Sequence, residues 1–408
     1  MNIVYLNPSA QLGGAEQCLL DLMASLQAAE PGWSLRLIAS GEGPLASRAE
    51  ALGVPTRIVP FPPELARLGD AGAGGPAGRQ LSRLALLGRL LRAGMGITTY
   101  NKRLRRAIGE FAPHVVHTNG LKMHLLGMWS RPDHIPVIWH IHDYLRPRPV
   151  AARLLRRYAP QCAAVVANSR SVAEDVHALC GDQVKVYAVR NGVDLERFSP
   201  IGPTLDLDRL AGLPPAQPGD LRVGILGTLA RWKGHTVFLK ALSLVPPSLP
   251  IRGYVVGGAL YQTEGSQHTV DGLRGLAAQL GISQKVGFTG FVEEPAAAMR
   301  ALDIVVHAST QPEPFGLVIV EAMACGRAVI ASQAGGAAEI ITVGINALGH
   351  PPGNAAVLAE RIVQLATNPG LRAELGKAGR ATAERHFDRA RMATDLIPIY
   401  RDVALSVN

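Results

Sequence analysis

The strongest constraint on the fold is a β-branched run that leads into a loop carrying a carboxylate. Residues 301–307 read ALDIVVH, a pattern that predicts a buried parallel strand ending near Ser309 and Thr310. Glu313 then lies in the loop just beyond the carboxyl end of that strand. Open α/β sheets bind their ligands at this edge. The sequence therefore predicts a ligand site around Glu313.

A helix is predicted directly after this loop. Pro314 and Gly316 allow a tight turn into residues 317–324, and the first free amides, near Phe315, Gly316 and Leu317, should face back toward Glu313. Glu321 lies inside this helix, so its carboxylate should be roughly 8 to 12 Å from that of Glu313. A retaining glycosidase needs its two carboxylates about 5 to 5.5 Å apart. The wider spacing suits the two ends of an extended ligand, such as a sugar and a ribose joined by a diphosphate.

The segment EPFGLVIVEAMACGRAVIAS, followed by GGAAEII at 335–341, resembles the sugar-donor site of retaining family-4 glycosyltransferases. The resemblance runs from the first strand to the last helix. It implies an α/β protein of the GT-B fold, with two Rossmann-like domains whose parallel sheets face a central cleft. Residues 1–200 would form the acceptor-side domain, completed by a C-terminal helix at about 388–408. Residues 201–387 would form the nucleotide-sugar domain, where Gly335 and Gly336 offer further backbone amides.

Length and composition agree with two domains in a reducing compartment. A chain of 408 residues exceeds one typical domain, and none of its apolar runs approaches the ~20 residues of a membrane span. The sequence begins as a strand without a basic leader, so we expect a cytoplasmic protein. The cysteines show neither metal-site spacing nor a disulfide framework, and we expect them to fill the core. They are Cys18, Cys162, Cys180 and Cys325.

The net charge of +9 belongs almost entirely to the first half of the chain. Residues 1–200 hold 23 lysines and arginines against 15 acidic residues. Between Asp70 and Glu110 there are eight cations and no acid: Arg79, Arg83, Arg89, Arg92, Lys102, Arg103, Arg105 and Arg106. With Arg146, Arg148, Arg153, Arg156 and Arg157, they predict contact with an anionic membrane surface or an acidic acceptor. Nucleic acid is disfavoured because no reader motif accompanies the charge.

Two features of the first half are candidate ligand contacts. Gly13 and Gly14 precede a helix and could let the backbone approach a phosphate or sugar, although an ordinary strand-to-helix turn has the same pattern. His142 follows the strand at 136–140 and could donate to a sugar hydroxyl or serve a structural role. The resemblance places both features near the donor sugar. His117 and His140 are expected to pack or to support His142.

The second half again predicts alternating strands and helices. A strand at 221–226 ends in a glycine-bounded loop whose Arg231 and Lys233 could neutralise a diphosphate. By resemblance, Lys233 matches the phosphate lysine of the family. Thr228 stands where many relatives carry arginine, so Arg231 is expected to supply that charge. The nucleotide base would lie against 286–292, which includes Phe291. Asp206 and Asp208 are expected to be solvated acids at a helix start rather than metal ligands.

The resemblance implies a retaining transferase that uses a nucleotide-diphosphate sugar, with UDP- or GDP-sugars favoured and no metal or other cofactor. The acceptor would be a glycan, a lipid-linked sugar or a small molecule. Glu313 would hold hydroxyls of the sugar, Glu321 the ribose, and His142 the reacting sugar, while Lys233 and Arg231 stabilise the leaving group. Alternatives are a nucleotide-sugar epimerase of the same fold, a glycan phosphorylase and a catalytically silent binding protein.

Overall fold

The computed structural model describes residues 1–62, 83–258 and 267–405, with the backbone alone for 83–95. The chain forms two compact units, which are Met1–Gly192 with Arg389–Asn408, and Val193–Asp388. Each contains one parallel sheet, so the expected pair of Rossmann-like domains is confirmed. The division falls before the predicted boundary at residue 200. The reason is that Val193 donates its N–H to the carbonyl of Phe387 at 2.8 Å, and Phe198 is buried in the core of the second unit.

The sheet of the first unit has seven parallel strands in the order β3-β2-β1-β4-β5-β6-β7. They are β1 (Asn2–Asn7), β2 (Ser34–Ala39), β3 (Thr56–Ile58), β4 (Val115–Asn119), β5 (Val137–Ile141), β6 (Ala164–Ala167) and β7 (Val186–Ala188). The helices between them are α1 (Gly14–Ala29), α2 (Pro44–Ala51), α3 (Arg83–Gly109), α4 (Leu121–Ser130), α5 (Pro149–Tyr158) and α6 (Arg170–Cys180). Side chains alternate along β1, so Ile3 and Tyr5 enter one core while Val4 and Leu6 enter another.

The second unit repeats this plan with six parallel strands in the order β10-β9-β8-β11-β12-β13. They are β8 (Leu221–Leu226), β9 (Ile251–Val256), β10 (Val286–Gly290), β11 (Ile304–His307), β12 (Ala328–Ser332) and β13 (Leu348–His350). Its helices are α7 (Leu207–Ala211), α8 (His235–Leu244), α9 (Val270–Gln279), α10 (Pro295–Arg300), α11 (Leu317–Ala324), α12 (Gly336–Ile340), α13 (Ala355–Thr367) and α14 (Pro369–His386). The positions of β8 and α11 match the predicted ranges.

The last helix, α15 (Ala390–Leu405), belongs to the first unit. It packs on α1, and its Met392, Leu396 and Tyr400 lie in the same core as Ile3 and Tyr5. The Tyr400 hydroxyl is fully buried, 3.2 Å from the Tyr5 hydroxyl and 2.8 Å from Nδ1 of His117. The core of the first unit therefore includes a helix that follows the whole second unit in sequence.

The expectation that Asp208 is a solvated acid is wrong. Asp206 caps α7 as expected, but Asp208 is only 3% exposed. It accepts hydrogen bonds from the Tyr254 hydroxyl at 2.5 Å and from the guanidinium groups of Arg222 at 2.8 Å and Arg252 at 3.0 Å. Burial raises the pKa of Asp208, but these donors outweigh it and hold the pKa below its usual value. The Asp208 carboxylate thus connects α7 to β8 and β9 through hydrogen bonds.

Part of the predicted basic patch lies outside the described residues. Arg79 is not among them, and Arg83, Arg89 and Arg92 are described only as backbone of α3. Within the described residues, none of the helices combines the length and the apolar character needed to cross a membrane.

Candidate active site

The polar centre of the second unit forms where β8 and β11 end. These strands are neighbours in the sheet, so the loops that follow them start at the same edge. The Thr310 N–H, after β11, donates to the Trp232 carbonyl in the loop after β8 at 2.7 Å. This bond joins the lysine-bearing loop to the glutamate-bearing loop.

The Glu313 carboxylate is buried, with the residue 6% exposed. Lys233 Nζ lies 2.8 Å from Oε1 and 2.9 Å from Oε2. Ser309 Oγ donates to Oε2 at 2.7 Å, and His307 Nε2 lies 3.2 Å from the same oxygen. Burial raises the pKa of Glu313, but the Lys233 charge and the His307 hydrogen bond outweigh it and bring the pKa well below its usual range. The group is an ionised carboxylate surrounded by donors.

His307 and Ser309 were not predicted as site residues. They are two positions apart at the end of β11, so their side chains can point the same way, and Ser309 Oγ lies 3.1 Å from His307 Nε2. Because ionised Glu313 only accepts, His307 must carry its proton on Nε2. The sequence did contain a signal for them, because two polar residues spaced two positions apart follow directly after an apolar strand.

The main chain of Glu313 is also held in place. Its N–H donates to the Ala334 carbonyl at 3.3 Å, and its own carbonyl accepts from the Gly336 N–H at 2.7 Å. A Cβ on Gly336 would lie 2.1 Å from the Pro314 carbonyl oxygen, so only glycine fits there. The Gly336 amide therefore fixes Glu313, whereas the sequence suggested that it was available to a ligand.

The turn Arg231–Lys233 positions the candidate cations. Lys233 Nζ lies 4.2 Å from the centre of the Trp232 ring, while Arg231 is exposed in the same turn. The next residue, Gly234, has a φ of +80°, and a Cβ there would lie 1.8 Å from the Ala308 carbonyl oxygen. This close approach to the end of β11 brings Lys233 to Glu313.

The other predicted sugar-donor contacts fall into two groups. Thr228, Leu317 and Glu321 are partly exposed, and Phe291 is 69% exposed. Pro314, Phe315 and Gly316 are buried. The Phe315 ring packs 6.0 Å from that of Phe387, so only its backbone could meet a ligand. The separation of Glu313 and Glu321 stays a prediction.

The first unit contains a second polar cluster, around His142 at the end of β5. A chain of hydrogen bonds leads to it. Glu16 accepts from the Gly13 N–H at 3.1 Å and from Asn7 Nδ2 at 3.3 Å. Asn119 Nδ2 donates to Asn7 Oδ1 at 2.7 Å, and Asn119 Oδ1 lies 2.5 Å from His142 Nε2. Since that oxygen can only accept, His142 must donate from Nε2, which leaves a lone pair on Nδ1.

The glycine turn of the first unit has an internal role. The Gly13 amide donates to the Glu16 side chain three residues later, and its φ of −104° is available to any residue. Gly14 is the exposed first residue of α1. Glu16 is thus a link between the start of α1 and the chain that orients His142, a link that the sequence did not indicate.

His117 and His140 lie behind His142, as predicted for packing or supporting residues. The rings of His140 and His142 are 4.1 Å apart, and His140 Nδ1 lies 3.2 Å from His117 Nε2. Burial lowers the pKa of His142 to about 4 and that of His117 to about 3. Both rings are therefore neutral at pH 7.

Known proteins resemble both halves of the chain. The model of Glycosyltransferase Family 4 matches residues 12–197, and that of Glycosyl transferases group 1 matches residues 214–382. The D-inositol 3-phosphate glycosyltransferase of Jonesia denitrificans is 34% identical over 69% of this chain and 70% of its own length. The phosphatidyl-myo-inositol mannosyltransferase of Mycobacterium tuberculosis is 32% identical over 56% of each chain.

Solved structures resemble the whole chain. The crystal structure of Anabaena HepE in complex with UDP-glucose has a TM-score of 0.76 at 26% identity, and covers 98% of this chain and 100% of that one. The match extends over both units and confirms the GT-B fold expected from the sequence.

Proposed function

Because this chain belongs to glycosyltransferase family 4, among the group 1 glycosyl transferases, we propose that it transfers a hexose from a UDP- or GDP-sugar with retention of configuration. The observation that carries the proposal is the ion pair between partly exposed Lys233 and the buried carboxylate of Glu313, at the ends of β8 and β11. A UDP-sugar is supported by the likeness to HepE with bound UDP-glucose.

Lys233 supplies positive charge to the sugar donor. The Glu313 carboxylate already accepts from Lys233, Ser309 and His307, which uses about all its lone pairs. When the diphosphate binds, Lys233 turns towards it and releases one oxygen of Glu313 for a sugar hydroxyl. Arg231, exposed in the same turn, adds the second cation. Both cations stabilise the charge that grows on the departing diphosphate.

Retention is achieved without a side-chain nucleophile. Glu313 is surrounded by donors that hold its negative charge, which makes it a weak nucleophile. The acceptor hydroxyl therefore attacks from the face of the leaving group, and the departing phosphate takes its proton. His142, neutral and with a free lone pair on Nδ1, accepts a hydrogen bond from a substrate hydroxyl instead of donating one as expected, because its Nε2 proton already goes to Asn119. Protein cations supply the counter-charge, so transfer proceeds without a divalent metal.

The function is tested with a panel of UDP, GDP, ADP and TDP in thermal-shift assays, because a ligand that binds only the folded state raises the apparent stability. We expect UDP or GDP to raise Tm most, and the matching nucleotide sugar to release free nucleotide only when acceptor is added. NMR of the product should show the anomeric configuration of the donor, and excess EDTA should not lower the rate. Conversion of the attached sugar would instead indicate an epimerase, and binding without turnover a silent protein.

Replacing Glu321 should mainly affect binding of the sugar donor. We expect Glu321→Gln to weaken nucleotide-sugar binding about tenfold with little change in kcat, since a ribose contact is already made in the ground state. Calorimetric titration and steady-state kinetics measure the two effects, with the exposed Glu360→Gln on α13 as the control. A Kd within twofold of wild type would remove Glu321 from the site.

The acceptor we propose is a glycan, a lipid-linked sugar or a small molecule. We also propose that the protein is cytoplasmic and contacts the inner face of a membrane. The relatives named for inositol 3-phosphate and phosphatidyl-myo-inositol support an anionic acceptor. In the described structure, Arg146 is paired with Asp175 and Arg148 with Asp143. Arg153, Arg156 and Arg157 are exposed on α5 beside Val150 and Leu154, which are 66% and 38% exposed.

We expect this face of α5 to bind anionic vesicles. Each cation contributes about 1 kcal/mol at such a surface, so changing Arg153, Arg156 and Arg157 to Gln should weaken binding about 100-fold. Sedimentation with anionic and neutral vesicles at low and high salt measures the effect. Binding should require anionic lipid and fade with salt. Equal sedimentation of the triple variant and wild type would show that α5 is not the contact.

A further inference from the structure

Three side chains that ligate soft metals converge in the first unit, and the transfer reaction proposed above gives two of them no direct role. Cys18, His140 and His142 each offer one ligand atom, and these atoms all lie within 4.8 Å of one another. Cys18 and His140 are buried, and His142 is partly exposed. The cluster therefore has two interior ligands and one that reaches the surface.

The fold accounts for this convergence. His140 and His142 are two residues apart at the end of β5, so their side chains point the same way. Cys18 lies in the second turn of α1, a helix that begins at the same edge of the sheet. The sequence contains a His-x-His pair, but Cys18 is far from it along the chain. Spacing alone did not reveal the cluster.

The hydrogen bonds leave the required nitrogens free. His142 donates from Nε2 to Asn119 Oδ1, and its buried Nδ1 has no partner in the described structure. His140 uses Nδ1 towards His117, and its buried Nε2 likewise has no partner there. A buried imidazole nitrogen without a hydrogen bond is costly, and a metal ion would satisfy both nitrogens at once.

Residues that pack against His140 can fix its tautomer as a metal ligand requires. If His140 Nε2 binds a metal, its Nδ1–H donates to His117 Nε2, and His117 Nδ1–H donates to the Tyr400 hydroxyl, 2.8 Å away. The Tyr400 proton then points to the Tyr5 hydroxyl. Each hydrogen from His140 to Tyr400 in this relay has an acceptor. Such outer partners fix the tautomer of ligating histidines.

We propose that Cys18, His140 and His142 bind one thiophilic transition-metal ion of the Zn²⁺ class. The Cys18 thiol, which donates to Asn191 Oδ1 at 2.9 Å, releases its proton to solvent and binds as thiolate. The Asn191 amide turns over so that its NH₂ faces the sulfur. In a tetrahedral zinc centre, ligand atoms are about 3.4 to 3.6 Å apart. All three atoms lie within 4.8 Å of one another, so no pair must close by more than about 1.4 Å, and the fourth position is left for water.

Occupancy of the site should inhibit sugar transfer, a consequence that rests on the proposed function. The metal takes Nδ1 of His142, the lone pair assigned to a substrate hydroxyl. Metal and substrate therefore compete for one atom. Binding of the metal itself does not depend on the transfer reaction, so the two claims can fail separately.

Binding is tested with Co²⁺ as a spectroscopic probe on the full chain. We expect one equivalent to produce a thiolate-to-cobalt charge-transfer band in the near ultraviolet, with d–d bands of tetrahedral intensity. Cys18→Ser should remove the charge-transfer band, whereas Cys162→Ser, at another buried cysteine of the same unit, should keep it. X-ray absorption of the Zn²⁺-loaded wild type should show one sulfur at about 2.3 Å and nitrogens at about 2.0 Å. Absence of sulfur from the zinc shell, or an unchanged band in Cys18→Ser, would overturn the site.

Inhibition is measured as the Zn²⁺ concentration that halves the rate, with each variant normalised to its own metal-free rate. We expect Cys18→Ser to raise this concentration at least tenfold and Cys162→Ser to leave it unchanged. If Co²⁺ binds as described but Zn²⁺ does not inhibit, the metal site stands and the role of His142 in transfer is rejected.

Discussion

Glu313→Gln is expected to lower kcat by about 100- to 1000-fold, the range seen when a single group that stabilises developing charge is removed. The amide keeps the size of the side chain but removes the charge that holds Lys233. Its NH₂ would also face Lys233, Ser309 or His307, which donate to the carboxylate. Binding of the sugar donor should change less than turnover, because sugar contacts strengthen in the transition state.

The measurement is steady-state kinetics together with a calorimetric Kd for the sugar donor. Glu360→Gln, on the exposed face of α13, is the matched control for removing one negative charge. A Tm for each variant separates lost catalysis from lost folding. Turnover of Glu313→Gln within twofold of wild type would contradict the assignment of the Lys233–Glu313 pair to the reaction.

Gly234→Ala is expected to destabilise the second unit by about 3 to 5 kcal/mol, among the largest effects of single substitutions. The new Cβ would lie 1.8 Å from the Ala308 carbonyl oxygen, and φ at this position is +80°. The backbone must then move away from β11, which takes Lys233 from Glu313. Activity should fall together with stability, because the close approach of Gly234 to Ala308 supports both the fold and the position of Lys233.

Gly275→Ala in α9 is the matched control. A Cβ there meets nothing within 4 Å, and alanine in a helix interior is about 1 kcal/mol more favourable than glycine. Calorimetric unfolding of both variants should therefore show opposite shifts. A Gly234→Ala transition within 1 °C of wild type would mean that the loop after β8 adapts without cost.

The parts of the fold that the sequence predicted well are those with local signals. The predicted ranges of β8 and α11 agree with the structure because an apolar run or a glycine marks each end. Lys233 and Glu313 were each identified by position after a strand. Their direct contact was not predicted, because they are 80 positions apart and sequence pattern gives only the edge on which each lies.

Asp208 shows why a buried charge is hard to recognise. It sits in a short polar segment that looks solvated, and the residues that bury it come later in the chain, at Arg222 in β8 and Arg252 in β9. An arginine inside each of two apolar strands was the available signal, since a partly buried cation favours a carboxylate partner. The residues next to Asp208 in the sequence do not indicate its ion pairs with Arg222 and Arg252.

The position of α15 has a consequence for synthesis of the protein on the ribosome. Domains generally fold as units, with the N-terminal one first, yet the first unit here needs Met392, Leu396 and Tyr400 to fill the core around Ile3 and Tyr5. Those residues are translated after all of Val193–Asp388. The second unit can thus complete its core while the first still exposes the apolar face of α1. We expect a released fragment that ends at residue 389 to be protease-resistant in the second unit and sensitive in the first.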